Sequence, residues 1–348
     1  MLGSGVGLPR HRRFADELHF AATVDGWRLA LHRHRPPRAG SPSPLPVVLC
    51  GGYACNRYFL DYDERHSLAR FLARTGFDVW VLEPRGCGVS HPGPDCARPR
   101  SWTFDDLAGF DLPAAVGHVA AMTGRDVTWV GHSMGGLLLY AYLGRGAEHA
   151  HRLRAGVTIA SPVVFPATSA TLFRDIGLFL LSLPLSEVIY QRWVLTALWT
   201  LVGWSSALRV GMNPENVERQ VIGQALRLFI ENVPRAKLRQ LALWACDGAF
   251  CSADGRVDYR AALGRVTTPI LAIAGSADRL ATPAAVRRAL DHLPVPPAAY
   301  LEFGRAHGHS TDYGHVDLIL GRAAPAEVFP AVAAWLASCG ATAPVGPT

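Results

Sequence analysis

Lysine is almost missing from this chain. Lys237 is the only one in 348 residues, so arginine carries nearly all of the positive charge behind a net +6. The arginines are scattered and not interleaved with aromatics, which argues against a nucleic-acid surface. The imbalance reads as a high-GC coding bias, as does the abundance of Ala, Gly and Pro. No C-x-x-C pair occurs among the seven cysteines (Cys50, Cys55, Cys87, Cys96, Cys246, Cys251, Cys339), and no histidine group has zinc spacing. No metal and no cofactor is therefore expected. The cysteines read as free, mostly buried thiols in a reducing compartment, although Cys246 and Cys251 lie close enough in sequence to bridge. Residues 1–13 are basic but no apolar h-region follows, so the expectation is a chain without a secretory signal, located in the cytoplasm. The longest apolar runs are 176–185, interrupted by Ser182 and Pro184, and 193–204. Both fall short of the ~18 residues that a membrane span requires and read as lid helices.

What is present describes a globular protein: 49% hydrophobic and 18% charged, with room for one large α/β domain carrying an insertion, or for two domains. Residues 19–35 alternate around Asp25-Gly26, a hairpin signal. Strands are expected at 47–50, 77–82, 127–130, 157–160, 270–274 and 299–303. Helices are expected at 63–74, 104–122 in spite of Pro113, 283–293 and 325–338. Strands alternating with helices argue a mostly parallel, doubly wound sheet. The rhythm breaks between about 163 and 268. The expected organisation is thus a core in two parts, 14–162 and 269–339, with a mainly helical cap inserted at 163–268.

The most informative segment is Gly131-His132-Ser133-Met134-Gly135-Gly136, between the apolar strand 127–130 and the helix-like run 137–143. A G-x-S-x-G at a strand-to-helix turn holds the serine at the tip of a bend too sharp for side chains at the flanking positions. The helix N-terminus just beyond it favours a developing anion. Ser133 is the expected nucleophile. A serine hydroxyl needs a base to take its proton and an acid to orient that base, and in α/β-hydrolases these follow in the order Ser, Asp or Glu, His. Asp278 follows the strand 270–274 in a loop at the carboxyl edge of the sheet, where ligands gather. Its alternative role is to cap the helix that begins at Thr282-Pro283. Three histidines follow the last strand: His307, His309 and His315. His315 is the favoured base and His309 the runner-up. The oxyanion hole needs two backbone N–H groups. Met134, next after the serine, and Tyr53, behind Gly51-Gly52, fit that need.

Several of these segments resemble one family, the acid lipases of gastric and lysosomal type within the α/β-hydrolase fold. Residues 79–86 resemble the strand and turn before helix B. Asp111-Leu112-Pro113-Ala114 is similar to the family's Tyr-Asp-Leu-Pro-Ala ending, and Val130-Gly131-His132-Ser133 matches its elbow. Tyr313-Gly314-His315-Val316-Asp317 resembles its catalytic-histidine segment, Asn-His-Leu-Asp-Phe, and this resemblance places His315 well ahead of His309. Bacterial polyhydroxyalkanoate synthases are more distant relatives that carry Cys where this chain has Ser133. The likeness covers about 20–160 and 269–336 but not the inserted block. It also departs from the family at Gly51-Gly52, where His-Gly is usual, and in the missing secretory signal.

The resemblance and the motifs together imply a serine ester hydrolase of esterase or lipase type, acting through an acyl-serine on a small-molecule ester or acyl substrate. An acyltransferase or thioesterase using the same three residues is the alternative. A non-enzymatic binder is disfavoured because Ser133, Asp278 and His315 are all in place. Within the inserted block, Phe179, Trp193 and Trp199 are candidates to line an acyl pocket, the alternative being ordinary packing of the lid on the core. An exposed apolar lid would also suit peripheral contact with a lipid surface.

Overall fold

Asp25-Gly26 turns the chain between β1 (Glu17–Ala22) and β2 (Trp27–His34), which pair antiparallel. Gly26 supplies the φ of +92° that the turn needs, and Thr23 caps it by accepting from Trp27 N at 2.9 Å. The computed structural model describes residues 15–37, 45–166, 174–175, 177–182, 187–192, 209–294 and 298–341. After the hairpin come β3 (Val47–Cys50), α1 (Leu68–Arg74), β4 (Val79–Glu83) and the short β5 (His91–Pro92). Helix α1 begins later than the expected residue 63. Asp63 instead closes a turn by accepting from Arg65 N and His66 N, and Ser67 caps the helix through Arg70 N.

The next helical stretch, α2, runs as Phe104–Asp106, a π turn Leu107–Asp111, and Leu112–Thr123. The wide turn is how a helix continues through Pro113, because Leu112 N reaches back five residues to Leu107 O just before the residue that lacks a donor. Strand β6 (Val127–His132) leads into α3 (Met134–Gly144), and β7 (Leu153–Ile159) follows, beginning four residues earlier than expected. Every residue of α3 is buried. This accounts for its apolar run, because the helix packs on β6 and β7 on one side and on residues 259–265 on the other.

Between β7 and β10 the described elements are α4 (Gly177–Ser182), β8 (Val188–Ile189), α5 (Arg219–Phe229), β9 (Val233–Pro234), α6 (Arg235–Asp247) and α7 (Tyr259–Ala262), with β8 and β9 paired antiparallel. This excursion shares the main core. Leu241, Trp244, Phe250, Tyr259 and Leu263 belong to the buried cluster under one face of the sheet, whereas Met212, Val217, Ile222 and Phe229 belong to the cluster under the other. The chain then closes with β10 (Ile270–Gly275), α8 (Pro283–Arg287), β11 (Ala298–Phe303), α9 (Asp317–Leu320) and α10 (Ala324–Ala341).

The sheet order is β1-β2-β4-β3-β6-β7-β10-β11, with β5 on β2. Strands from β4 to β11 pair in parallel, while β1, β2 and β5 add an antiparallel end. Alternate residues face opposite layers: Val48, Cys50, Trp80 and Leu82 point to one core cluster, and Val47, Leu49, Val79 and Val81 to the other. β3 lies between β4 and β6, so the chain order reverses there. The loops after β3 and β6 therefore splay apart at the carboxyl edge, leaving a crevice at the switch point. None of the seven cysteines forms a disulfide. Only Cys50 and Cys87 are buried and Cys246 is exposed, so the expectation of mostly buried thiols is corrected. Cys246 and Cys251 do not bridge. No described helix is long and apolar enough to cross a membrane.

Candidate active site

The elbow is built by glycine and by strain. A Cβ at Gly131 would overlap the backbone of Gly135, and one at Gly135 would overlap the Cys50 carbonyl. Ser133 has φ +51° and ψ −116°, a conformation that a non-glycine residue holds only when its surroundings force it, at a cost of roughly 1–3 kcal/mol. The forcing contacts are clear. Ser133 N donates to Ile159 O at 2.7 Å, Ser133 O accepts from Ser161 Oγ at 2.9 Å, and Trp129 Nε1 donates to Gly135 O at 3.1 Å.

Three chain segments far apart in sequence meet at this serine. Ser133 Oγ lies 2.9 Å from His315 Nε2, and His315 Nδ1 lies 2.8 Å from Asp278 Oδ2. Asp278 is buried, and its other oxygen accepts from Leu280 N and Ala281 N, each at 2.8 Å. Asp278 does not cap α8: its second oxygen closes a turn on Leu280 and Ala281, before the helix begins, and Thr282 caps α8 through Ala285 N. A carboxylate fixed this way presents its free oxygen to Nδ1 and sets the ring with Nε2 facing the serine.

The other two histidines are used elsewhere. His307 Nε2 lies 3.3 Å from Glu302, and His309 packs on Phe303 and bonds the Gly304 backbone. Among the described residues no cluster of His, Cys, Asp or Glu is arranged to hold a metal ion.

His132, the variable residue of the elbow, has a role that the sequence reading did not assign. Its Nε2 donates to the His315 carbonyl at 2.9 Å, and its ring packs edge-on against His315 with centroids 4.8 Å apart. Burial, with the neighbouring His315 as a second cause, holds its pKa well below the ordinary value, so it stays neutral. A neutral neighbour places no second positive charge beside an imidazole that is to gain a proton.

Gly52 brings the loop after β3 against the serine: a Cβ there would stand 3.2 Å from Ser133 Cβ and 3.1 Å from His132 Nδ1. Tyr53 and Met134 both line the cavity beside the serine, and Met134 opens α3 and so has an N–H without an intrahelical acceptor. The Tyr53 hydroxyl donates to Gln191 at 3.2 Å, and the ammonium of Lys237 lies 5.2 Å from the centre of its ring. The sole lysine is thus buried behind this loop, and burial lowers its pKa.

Ser133 and His315 open into a cavity of about 260 Å³ whose walls are apolar, with Leu137, Phe165, Phe229, Ile230 and Leu241 prominent. Cys55 also lines it, but burial pushes its thiol up to about 12, which leaves it protonated and unreactive beside the serine. Of the three residues expected to line an acyl pocket, Phe179 is not among the lining residues. It is 62% exposed, because α4 packs on α6 with Phe179 turned to solvent. Trp193 and Trp199 lie outside the described residues. Phe165, Phe229 and Leu241 take the place expected for them. Only Leu241 had a usable signal, the helical spacing of the buried residues Leu238, Leu241, Ala242 and Ala245 on α6.

A model of the alpha/beta hydrolase fold family matches residues 46–321. The chain is 29% identical to a tear acid lipase-like protein of Mesocricetus auratus over 156 residues, 42% of this chain and 39% of that protein. It is 30% identical to triacylglycerol lipase 2 of Arabidopsis thaliana over 172 residues, 46% of this chain and 40% of that protein. It is also 31% identical to the lysosomal acid lipase/cholesteryl ester hydrolase of Homo sapiens over 150 residues, 40% and 38% of the two chains. The chain thus spans about two-fifths of the length of these curated relatives. A soluble variant of monoglyceride lipase from Saccharomyces cerevisiae superposes with a TM-score of 0.62 at 14% identity, covering 95% of this chain and 99% of that one. At that identity the likeness is one of fold.

Proposed function

We propose, from the premise that this chain belongs to the alpha/beta hydrolase fold family, that it is a carboxylic ester hydrolase working through an acyl-Ser133 intermediate. The observation that carries the reading is the unbroken line Asp278–His315–Ser133, whose last two members line an apolar cavity. In this mechanism His315 Nε2 takes the Ser133 proton as Oγ attacks the ester carbonyl. The oxyanion that forms accepts from the N–H groups of Tyr53 and Met134, donors of a kind whose loss typically costs ~3–4 kcal/mol in the transition state. Collapse breaks the ester bond, and the leaving alkoxide takes the proton back from His315. Water, deprotonated by the same nitrogen, then attacks the acyl-serine and releases the acid, with the proton returning to Ser133.

The lining residues support a substrate with an apolar acyl group. Each added methylene should contribute up to ~0.8 kcal/mol, about fourfold in kcat/KM, until the cavity is full. Measured on p-nitrophenyl esters of rising chain length, kcat/KM should climb from acetyl and then flatten or fall. Leu241→Trp, which narrows the cavity, should move the optimum to shorter chains and leave acetyl turnover within a few-fold. Phe179→Ala should leave the profile as in wild type. A Leu241→Trp profile parallel to wild type would show that this wall does not meet the acyl chain.

The residues between β7 and β10 serve in this reading as the cap over the site. Leu178, Phe179 and Leu243 are exposed on it, and Leu178 and Leu243 share a groove between α4 and α6 with Arg235 and Arg239. Apolar side chains flanked by arginine suit peripheral contact with an anionic lipid surface. Wild-type protein should sediment with phosphatidylcholine vesicles containing phosphatidylglycerol, and Phe179→Asp should weaken that association severalfold. Equal sedimentation of the two proteins would remove this face as the contact.

A further inference from the structure

We propose that Asp317 is a positioning residue for His315, acting through a strap formed by residues 211–216; this rests on the reading of His315 as the base. Asp317 is completely buried. Its two oxygens accept three bonds: Oδ1 from Asn213 N at 3.0 Å, and Oδ2 from Gly314 N at 2.9 Å and Asn216 Nδ2 at 3.0 Å. Gly314 immediately precedes His315. On the other side of the histidine, Val316 N donates to Gly211 O at 2.9 Å. The strap reaches further along the same loop, where Asn213 Nδ2 donates to Asp312 O at 2.7 Å. The residues on both sides of His315 are therefore tied to one segment that comes from the middle of the inserted block.

The contact is close-packed as well as hydrogen-bonded. A Cβ at Gly314 would stand 2.7 Å from Met212 Cα and 2.8 Å from Asp317 Oδ1. The histidine loop therefore has no slack on the strap side, and on the far side the His132 bond to the His315 carbonyl holds it. Asp317 touches neither the serine nor the cavity; it sets where the imidazole stands. A base must lie within hydrogen-bond reach of the proton it takes, and a displacement on the order of 1 Å can cost about 10²-fold in rate.

Burial also pushes the Asp317 carboxyl up to about 6. Its folded pKa is thus above the ~3.9 of an unfolded aspartate, and the native state loses stability as pH rises between the two. At neutral pH an ionised Asp317 is a cost to the fold, so an uncharged replacement relieves that cost. Asp317→Asn is therefore a suitable probe of positioning: it keeps the shape but turns one acceptor into a donor that faces donors.

The test is steady-state kinetics on a short p-nitrophenyl ester, with Ser133→Ala and His315→Ala as controls. Asp317→Asn should lower kcat by about 10- to 100-fold with KM within about twofold of wild type. In a His315→Ala background it should add no further loss, because two residues that act as one unit are not additive. Asn216→Ala, which removes one of the three bonds, should lower kcat by a smaller factor in the same way, and it carries the test if Asp317→Asn fails to fold. Unchanged kcat in these variants, a loss confined to KM, or an equal further loss in the His315→Ala background would overturn the proposal. Activity retained by Ser133→Ala or His315→Ala would instead overturn the reading of the site itself.

Discussion

Ser133→Ala should lower ester turnover on the order of 10⁴-fold or more while the protein stays folded. The size of the loss follows from the geometry, because Ser133 Oγ is the atom 2.9 Å from the His315 nitrogen and faces the cavity. The other nucleophile in the cavity wall, Cys55, is held as a thiol and offers no substitute. The fold should tolerate the change well. The elbow is held by backbone contacts to Ile159 and Ser161 and by the space that Gly131 and Gly135 leave, none of which needs the hydroxyl. Turnover within tenfold of wild type, in a variant with an unchanged melting temperature, would show that the reaction does not pass through this oxygen.

Asp278→Asn should cost a similar factor, about 10⁴ in kcat, for a different reason. The carboxylate has one oxygen occupied by two N–H donors and the other aimed at His315 Nδ1. In asparagine the oxygen stays with the two backbone donors, where an NH₂ would oppose them. The NH₂ must then face Nδ1, which selects the tautomer with its proton on Nε2. That nitrogen is then a donor toward Ser133 and takes no proton. Substrate binding is unaffected because Asp278 is not part of the cavity wall. The expected signature is therefore a fall in kcat with KM nearly constant, and a rise in KM alone would contradict the assigned role.

The core was legible in the sequence where local pattern and tertiary structure coincide. The run 127–130 followed by G-x-S-x-G allows only a strand that breaks sharply into a helix, and β6, Ser133 and α3 are arranged that way. Asp278 was legible because it lies just beyond β10 at the carboxyl edge of a parallel sheet; His315 follows β11 only after a longer loop, where spacing alone left His309 in contention and the family resemblance decided between them. The walls of the cavity were not legible. Phe229 faces the site because α5 packs its end on Phe59, some 170 positions away in sequence, with ring centroids 5.3 Å apart, and no local pattern records such a contact. Phe179 misled for the converse reason, since a short helix that is apolar nearly all round has no mark to say which side meets the core. The bond from His132 to the His315 backbone was hidden likewise, because one partner is a main-chain oxygen and any residue would supply it.

The acyl-enzyme itself is the most direct test. Wild-type protein mixed with excess p-nitrophenyl ester and quenched in acid within the first turnovers should carry one added acyl group, and peptide mapping should place it on Ser133. The mass should be absent from Ser133→Ala treated in the same way. An acyl group found on Cys55, on Lys237 or on another serine, or active wild-type protein that never carries one, would contradict the account.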